Sequence, residues 1–190
     1  MTLSALGIFS AAGAGGGVAL SDYELISSTI LGSNTPSVTF SSLGTYSSTY
    51  KHLQVRIVAR TVRTEVNDSI ISRFNGDTGS NYAWHRLFGN GSSVSSGAGT
   101  TQTYILTGET SGNTNTTSAF MTTVIDILDP YSTTKNKTIR FLNGGAASFN
   151  HIQLGSGLWN STASVTSFAL EPLNSANFLT GSRFSIYGVK

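Results

Sequence analysis

The segment HLQVRIVARTVR, residues 52–63, decides the fold class of this chain. Apolar and polar residues alternate along it: one face holds Leu53, Val55, Ile57 and Ala59, and the other holds Gln54, Arg56 and Arg60. A period of two is typical of a β-strand with one face in the core and the other in solvent. The segment therefore predicts a half-buried strand.

Short runs of strand-forming residues recur along the rest of the chain. They occupy residues 23–30, 38–40, 69–74, 82–88, 103–107, 120–128, 138–142, 149–154, 165–170 and 184–189. Turn-forming groups separate them, including 75–77, 89–91, 143–145 and 155–157, and the polar stretches 92–101 and 111–118 are expected to be exposed loops. Many short strands with frequent turns predict an all-β fold, a jelly-roll-like antiparallel β-sandwich.

One run differs from the others because it is apolar on both faces. In residues 120–128, Phe120, Val124 and Leu128 lie on one face, and Met121, Ile125 and Ile127 lie on the other. Such a pattern predicts a central strand that is covered on two sides.

The composition excludes several classes of protein. Only 11% of the residues are charged, against about 25% in an average domain. There is no cysteine, which excludes a disulfide scaffold and a thiolate metal site. The formal net charge is +2, with one basic cluster at Arg56, Arg60 and Arg63, so no nucleic-acid partner is expected. No apolar run approaches the roughly 20 residues of a membrane span, so no membrane insertion is expected.

The first twenty residues differ in composition from the rest of the chain. Residues 1–20 carry no charged side chain and are rich in Gly and Ala, and no Lys or Arg precedes their apolar positions, as a secretion signal would require. We expect an extended anchoring arm that contacts a partner through Leu6, Ile8 and Phe9, followed by a single β-sandwich domain over residues 21–190. A disordered leader is the alternative.

The residues that could carry catalysis form no known pattern. His52, His85 and His151 lack the spacing of a metal site, and no nucleophile motif is present. Asp126 and Asp129 could form a glycosidase pair, but nothing in the sequence supports one, and Asp126 is suited to pair with a basic residue such as Arg140. We therefore expect no enzyme, no catalytic or metal site and no cofactor.

The loop at residues 75–81 and the two tryptophans leave alternatives open. The loop, NGDTGSN, has one carboxylate, which favours an ordinary turn over a cation site. Trp84 and Trp159 suit a sandwich core, but either ring could also stack on a sugar. The sugar interpretation is the stronger for Trp159, because it borders a glycine-rich turn.

Several segments taken together resemble small virion-associated structural proteins of tailed bacteriophages. They are YELI at 23–26, YKHLQVR at 50–56, RFNGDTGSNY at 73–82, DILD at 126–129, SGLW at 156–159 and FSIYGVK at 184–190. The resemblance implies a particle component, located in the virion on its head or tail, with no active-site residues to carry over.

We expect a tail fibre or adhesin-type appendage that contacts other virion proteins. A capsid decoration protein, of cement or head-spike type, and a carbohydrate-binding module are the alternatives. Self-association through an apolar sheet face or edge is expected, with a trimer favoured, and a host-surface glycan is a possible further partner.

Overall fold

Residues 22–190 form an all-β structure in the computed structural model, which describes only these residues. Twelve strands follow one another: β1 (Tyr23–Ile30), β2 (Val38–Phe40), β3 (His52–Ala59), β4 (Asn67–Phe74), β5 (Tyr82–Gly89), β6 (Val94–Gln102), β7 (Ile105–Ser111), β8 (Met121–Leu128), β9 (Lys137–Gly145), β10 (His151–Trp159), β11 (Phe168–Pro172) and β12 (Arg183–Val189). A 3-10 turn at Leu43–Tyr46 is the one helical element in this part of the chain, which holds no helix long and apolar enough to cross a membrane.

Two antiparallel sheets pack against each other as a sandwich, which confirms the predicted fold class. The larger sheet has eight strands in the order β1-β12-β3-β8-β9-β10-β5-β6, and the smaller has four in the order β2-β11-β4-β7. The jelly-roll connectivity stays a prediction, and the expected arm at residues 1–20 lies outside the described residues.

The predicted strand at 52–63 lies near the middle of the larger sheet. As β3 it pairs with β12 on one side and β8 on the other. Its apolar residues Leu53, Val55, Ile57 and Ala59 are buried in the core, while Arg56 faces solvent. The period of two therefore identified both the strand and its buried face.

Arg60 does not lie on the exposed face that the alternation predicts, because β3 ends at Ala59. The side chain is only 4% exposed. Its guanidinium donates hydrogen bonds to four backbone carbonyls of one loop, those of Asn113, Asn115, Thr116 and Ala119, at 2.7–3.0 Å. These bonds fix a loop whose composition suggests mobility.

Residues 92–101 are largely a strand rather than the expected loop. β6 is the edge strand of the larger sheet and pairs with β5, with Leu87 opposite Ser96. Its Ser, Gly and Thr residues give no apolar period, so nothing in their hydropathy distinguishes them from a loop. Backbone hydrogen bonds to β5 form the strand, and the Trp84 ring lies directly over Gly99.

The predicted turn at residues 155–157 is instead the middle of β10. Gly155 and Gly157 point into the core, where the ring of Phe141 and the side chain of Ile105 occupy the space that a Cβ would need. The predicted turn at 143–145 likewise lies within β9. Here the glycines permit close packing in a strand and do not mark a reversal of the chain.

Adding a methyl group at Gly155 is therefore expected to destabilise the fold. Gly155→Ala would overlap the Phe141 ring, and overpacking of this kind typically costs about 1–3 kcal/mol. Gly32→Ala is the matched control, since a Cβ there meets nothing within 4 Å. Urea unfolding of both variants measures the difference, and equal midpoints would contradict this account of the β10 glycines.

Candidate interaction surface

The larger sheet has an outer face, the side turned away from the smaller sheet, that carries a line of exposed apolar side chains. We define the apolar row as Leu87 of β5, Leu154 of β10, Leu142 of β9 and Val124 of β8. These side chains are between 36% and 57% exposed. Soluble domains seldom place four large apolar residues side by side in solvent, so the row is a candidate interaction surface.

The strand register places these four residues side by side. Leu154 is the direct cross-strand partner of both Leu87 and Leu142, and Leu142 is the partner of Val124. Cross-strand partners on one face have Cβ atoms about 5 Å apart. The row therefore runs unbroken across four strands, perpendicular to them. Ile152, which is 63% exposed, lies next to it on β10.

A polar row runs parallel to the apolar row and is separated from it by two residues on each strand. It is formed by His85, Ser156, Arg140, Asp126 and Gln54, which are partners in the register. Arg140 Nε donates to Asp126 Oδ2 at 2.9 Å, which confirms the predicted pair, and Gln54 Nε2 donates to Asp126 Oδ1 at 2.8 Å. The charged groups beside the apolar row are thus held in place.

Two shallow depressions lie on the outer face around His85 and Ser156. One, of about 420 Å³, is lined by His85, Leu87, Arg140, Leu154, Gly155 and Ser156. The other, of about 310 Å³, is lined mainly by small residues of β5, β6 and β10, together with Leu158. Both are open and broad, as on a surface that receives side chains from a partner.

Trp159 does not offer a sugar-binding ring, contrary to the stronger sequence interpretation. It is 3% exposed and stacks on Phe74, with ring centroids 5.4 Å apart. Its Nε1 donates to Asp77 Oδ2 at 2.7 Å. Because the glycines before it belong to a strand and not to a turn, the residue lies in the core and not beside a loop.

Trp84 remains the one predicted glycan contact that solvent can reach. It is half-buried, packs against the core and borders the smaller depression. Its Nε1 has no hydrogen-bond partner among residues 22–190.

The loop at residues 75–81 is an ordinary turn stabilised by Asp77. The carboxylate accepts hydrogen bonds from Trp159 Nε1, Asn81 Nδ2 and the backbone N–H of Gly79, at 2.7–2.9 Å. These bonds, that from Trp159 first, lower the pKa of Asp77. Its oxygens are thereby committed to protein donors, and residues 22–190 contain no cluster of three metal-ligating side chains.

Of the two acids considered as a glycosidase pair, Asp129 lies beside His52, and Asp126 lies on the outer face with Arg140. His52 Nδ1 accepts from the backbone N–H of Asp129 at 3.1 Å, and Asp129 pairs with Lys135 at 2.6 Å. His151 is buried and stacks on Phe149, with centroids 5.1 Å apart, while His85 is exposed on the outer face. Asp126 is bound to Arg140, so the structure pairs each of the two acids with a cation.

The predicted basic cluster does not form a stripe. Arg56 lies over the Tyr187 ring at 4.7 Å, Arg60 is buried beneath the loop described above, and Arg63 lies 3.9 Å from Asp68. The three cations therefore face different surroundings.

Sequence analysis did not identify the apolar row, although one signal pointed to it. The run at 120–128 was predicted to be covered on both faces, and β8 does bury Met121, Ile125 and Ile127. On its other face Val124 and Leu128 stay exposed in the part of the chain that the structure describes. The expected second cover is therefore not provided by residues 22–190.

The lowered pKa of Asp77 predicts a pH-dependent stability. Because its folded pKa lies below the unfolded value of about 3.9, Asp77 stabilises the fold above that pH and loses the effect as the pH falls through the folded pKa. Asp77→Asn should be less stable than wild type at pH 7, with a difference that shrinks towards pH 2. Thermal unfolding between these pH values tests this, and a constant difference would contradict it.

Comparisons with known proteins add nothing to this geometry. No protein-family model, no curated protein and no solved structure matches the chain.

Proposed function

We propose that this protein is a non-enzymatic structural component of a tailed-phage virion, a tail fibre or adhesin-type appendage anchored through residues 1–20. The apolar row on the outer face is the observation that carries the structural role. Binding by shape and apolar contact is what such a surface provides.

The energetic argument for assembly is the burial of the apolar row. Each exposed leucine side chain that becomes fully buried contributes about 1.5–3 kcal/mol at most, and the three leucines of the row are about half exposed. The row can therefore supply several kcal/mol to an association before its entropic cost is subtracted. A protein that acts alone in solution gains nothing from keeping these side chains exposed.

The assignment to a phage particle rests on the segments that resemble virion-associated proteins, several of which are structural in this fold. Within YKHLQVR, Leu53 and Val55 are core residues of β3, and the RFNGDTGSNY segment supplies the Asp77 turn. A capsid decoration protein would also be a structural component of the particle, and it is the alternative within the same class.

The expected partner contacts Leu6, Ile8 and Phe9 belong to residues outside the described part of the chain. Their role in anchoring the sandwich to other virion proteins is part of the proposal. It is motivated by the uncharged, apolar composition of that segment.

Deleting residues 1–20 should separate folding from anchoring. The sandwich of residues 22–190 holds its core without them, so the truncated protein should unfold at nearly the same temperature as the full chain. It should be lost from purified particles, as measured by quantitative mass spectrometry and by electron microscopy of the particle. Incorporation at normal occupancy would refute the anchoring role, and electron microscopy of the wild-type particle would distinguish tail from head.

Carbohydrate binding is a second candidate, and the half-buried ring of Trp84 is the observation that favours it. If the half-buried ring of Trp84, which lies on the opposite face of β5 from His85 and Leu87, stacks on a glycan, Trp84→Ala should abolish a response on a glycan array that the wild-type protein gives. Trp159→Phe is the control, since Trp159 is buried and should leave glycan binding unchanged. No response from the wild-type protein across a broad array would eliminate this candidate.

A further inference from the structure

We infer that the outer face pairs with the same face of a second copy, about a two-fold axis that runs along the strands between β9 and β10. This inference rests on the proposed structural role and adds to it the identity of the partner. It names a second copy of this chain as the occupant of the apolar row.

The register makes the apolar row complementary to itself. The axis would divide six strands into two halves, β6-β5-β10 and β9-β8-β3. Each half would pack on the other half of the second copy, so that β10 faces β9, β5 faces β8 and β6 faces β3. Leu154 would then lie opposite Leu142 of the second copy. Leu87 would lie opposite Val124 of the second copy, so all four members of the row meet an apolar side chain.

The flanking rows pair large side chains with small ones. Ile152, which is 63% exposed, would lie opposite Gly144 of the second copy, and Gly144 has no side chain. Two rows away, Leu128 would lie opposite Ala83. Such pairing of projections with gaps is what close packing between two faces requires.

The charged groups also fit this arrangement. His85 would lie opposite Asp126 of the second copy, and Arg140 would lie opposite Ser156. Arg56 would lie opposite Ser96, because within the six strands these two residues end the line that contains the apolar row. No arginine meets an arginine and no carboxylate meets a carboxylate among these rows, although the face carries more cations than anions.

The size of the face approaches that of a standard interface. Six strands about 4.8 Å apart span about 24 Å, and four outward-facing positions along β10 span about 20 Å. The plan area is therefore about 500 Å², and the accessible surface of side chains that project from it is larger. A standard interface buries about 800 Å² per partner. Packed sheets cross at about 30°, so the pairs nearest the axis would make the closest contacts.

The missing cover of β8 agrees with this pairing. Val124 and Leu128 are exposed in the single chain, and a second sheet against the outer face would bury both. A two-fold arrangement thus replaces the three-fold one favoured by the sequence for this contact, since a flat face that matches itself across one line closes with two copies.

Sedimentation velocity of the full chain over a concentration series tests the pairing. We expect a dimer, and Leu154→Asp should raise its dissociation constant at least about 100-fold, because a carboxylate would be buried opposite a leucine. Leu25→Asp is the matched control. Leu25 is 58% exposed on the same sheet but lies on β1, outside the six strands, and its substitution should leave the dimer unchanged.

A second pair of variants tests the register itself. His85→Glu would place a carboxylate opposite Asp126 of the second copy and should weaken the dimer about tenfold, whereas His85→Lys should hold or tighten it. Within one chain His85 and Asp126 are separated by β10 and β9, so the contrast depends on the pairing. Circular dichroism confirms that each variant is folded.

The outcomes distinguish this inference from the proposed function. The two-fold pairing would be overturned by a monomer at all concentrations, by a trimer, or by equal effects of the two His85 variants. None of these results would bear on the role in the particle, which electron microscopy tests separately. A dimer that responds as expected, from a protein that no particle contains, would support the pairing and remove the virion role.

Discussion

The rest of the structure depends on the unequal number of strands in its two sheets. Eight strands pack against four, and the core forms only between the inner face of the larger sheet and the smaller one. Among residues 22–190, the apolar side chains on the other face of the larger sheet stay exposed. The structural role and the two-fold pairing proposed above both rest on the arrangement of these side chains in one line.

The sequence predicted the strands whose burial imposes a period of two. β3 was recognised in this way because one set of alternating residues enters the core, whereas β12 was predicted from its run of strand-forming residues. β6 was missed because an edge strand of Ser, Gly and Thr is held by backbone hydrogen bonds, which leave no mark on hydropathy. The glycines of β10 were assigned to a turn because local sequence does not show that Phe141 and Ile105 need the space above them.

The candidate surface was harder to predict than the fold, because it is a product of register. Leu87, Leu142 and Leu154 are far apart in the sequence, and each alone is an ordinary exposed leucine of a strand. Only the pairing of four strands aligns them. Trp159 was misplaced for the related reason that its surroundings, Phe74 and Asp77, come from a distant part of the chain. The apolar character of both faces of β8 was the one local hint.

The buried guanidinium of Arg60 has a consequence for the loop that follows β7. The sequence SGNTNTTSA at residues 111–119 has the composition of a flexible linker, and peptide insertion is usually tolerated in such segments. Here four of its carbonyls converge on one side chain that sits at the end of a central strand. Lengthening this loop would withdraw those carbonyls and leave a cation without acceptors inside the domain. A displayed epitope would therefore be far better tolerated at the β5–β6 hairpin, where Asn90 and Gly91 form an exposed reversal.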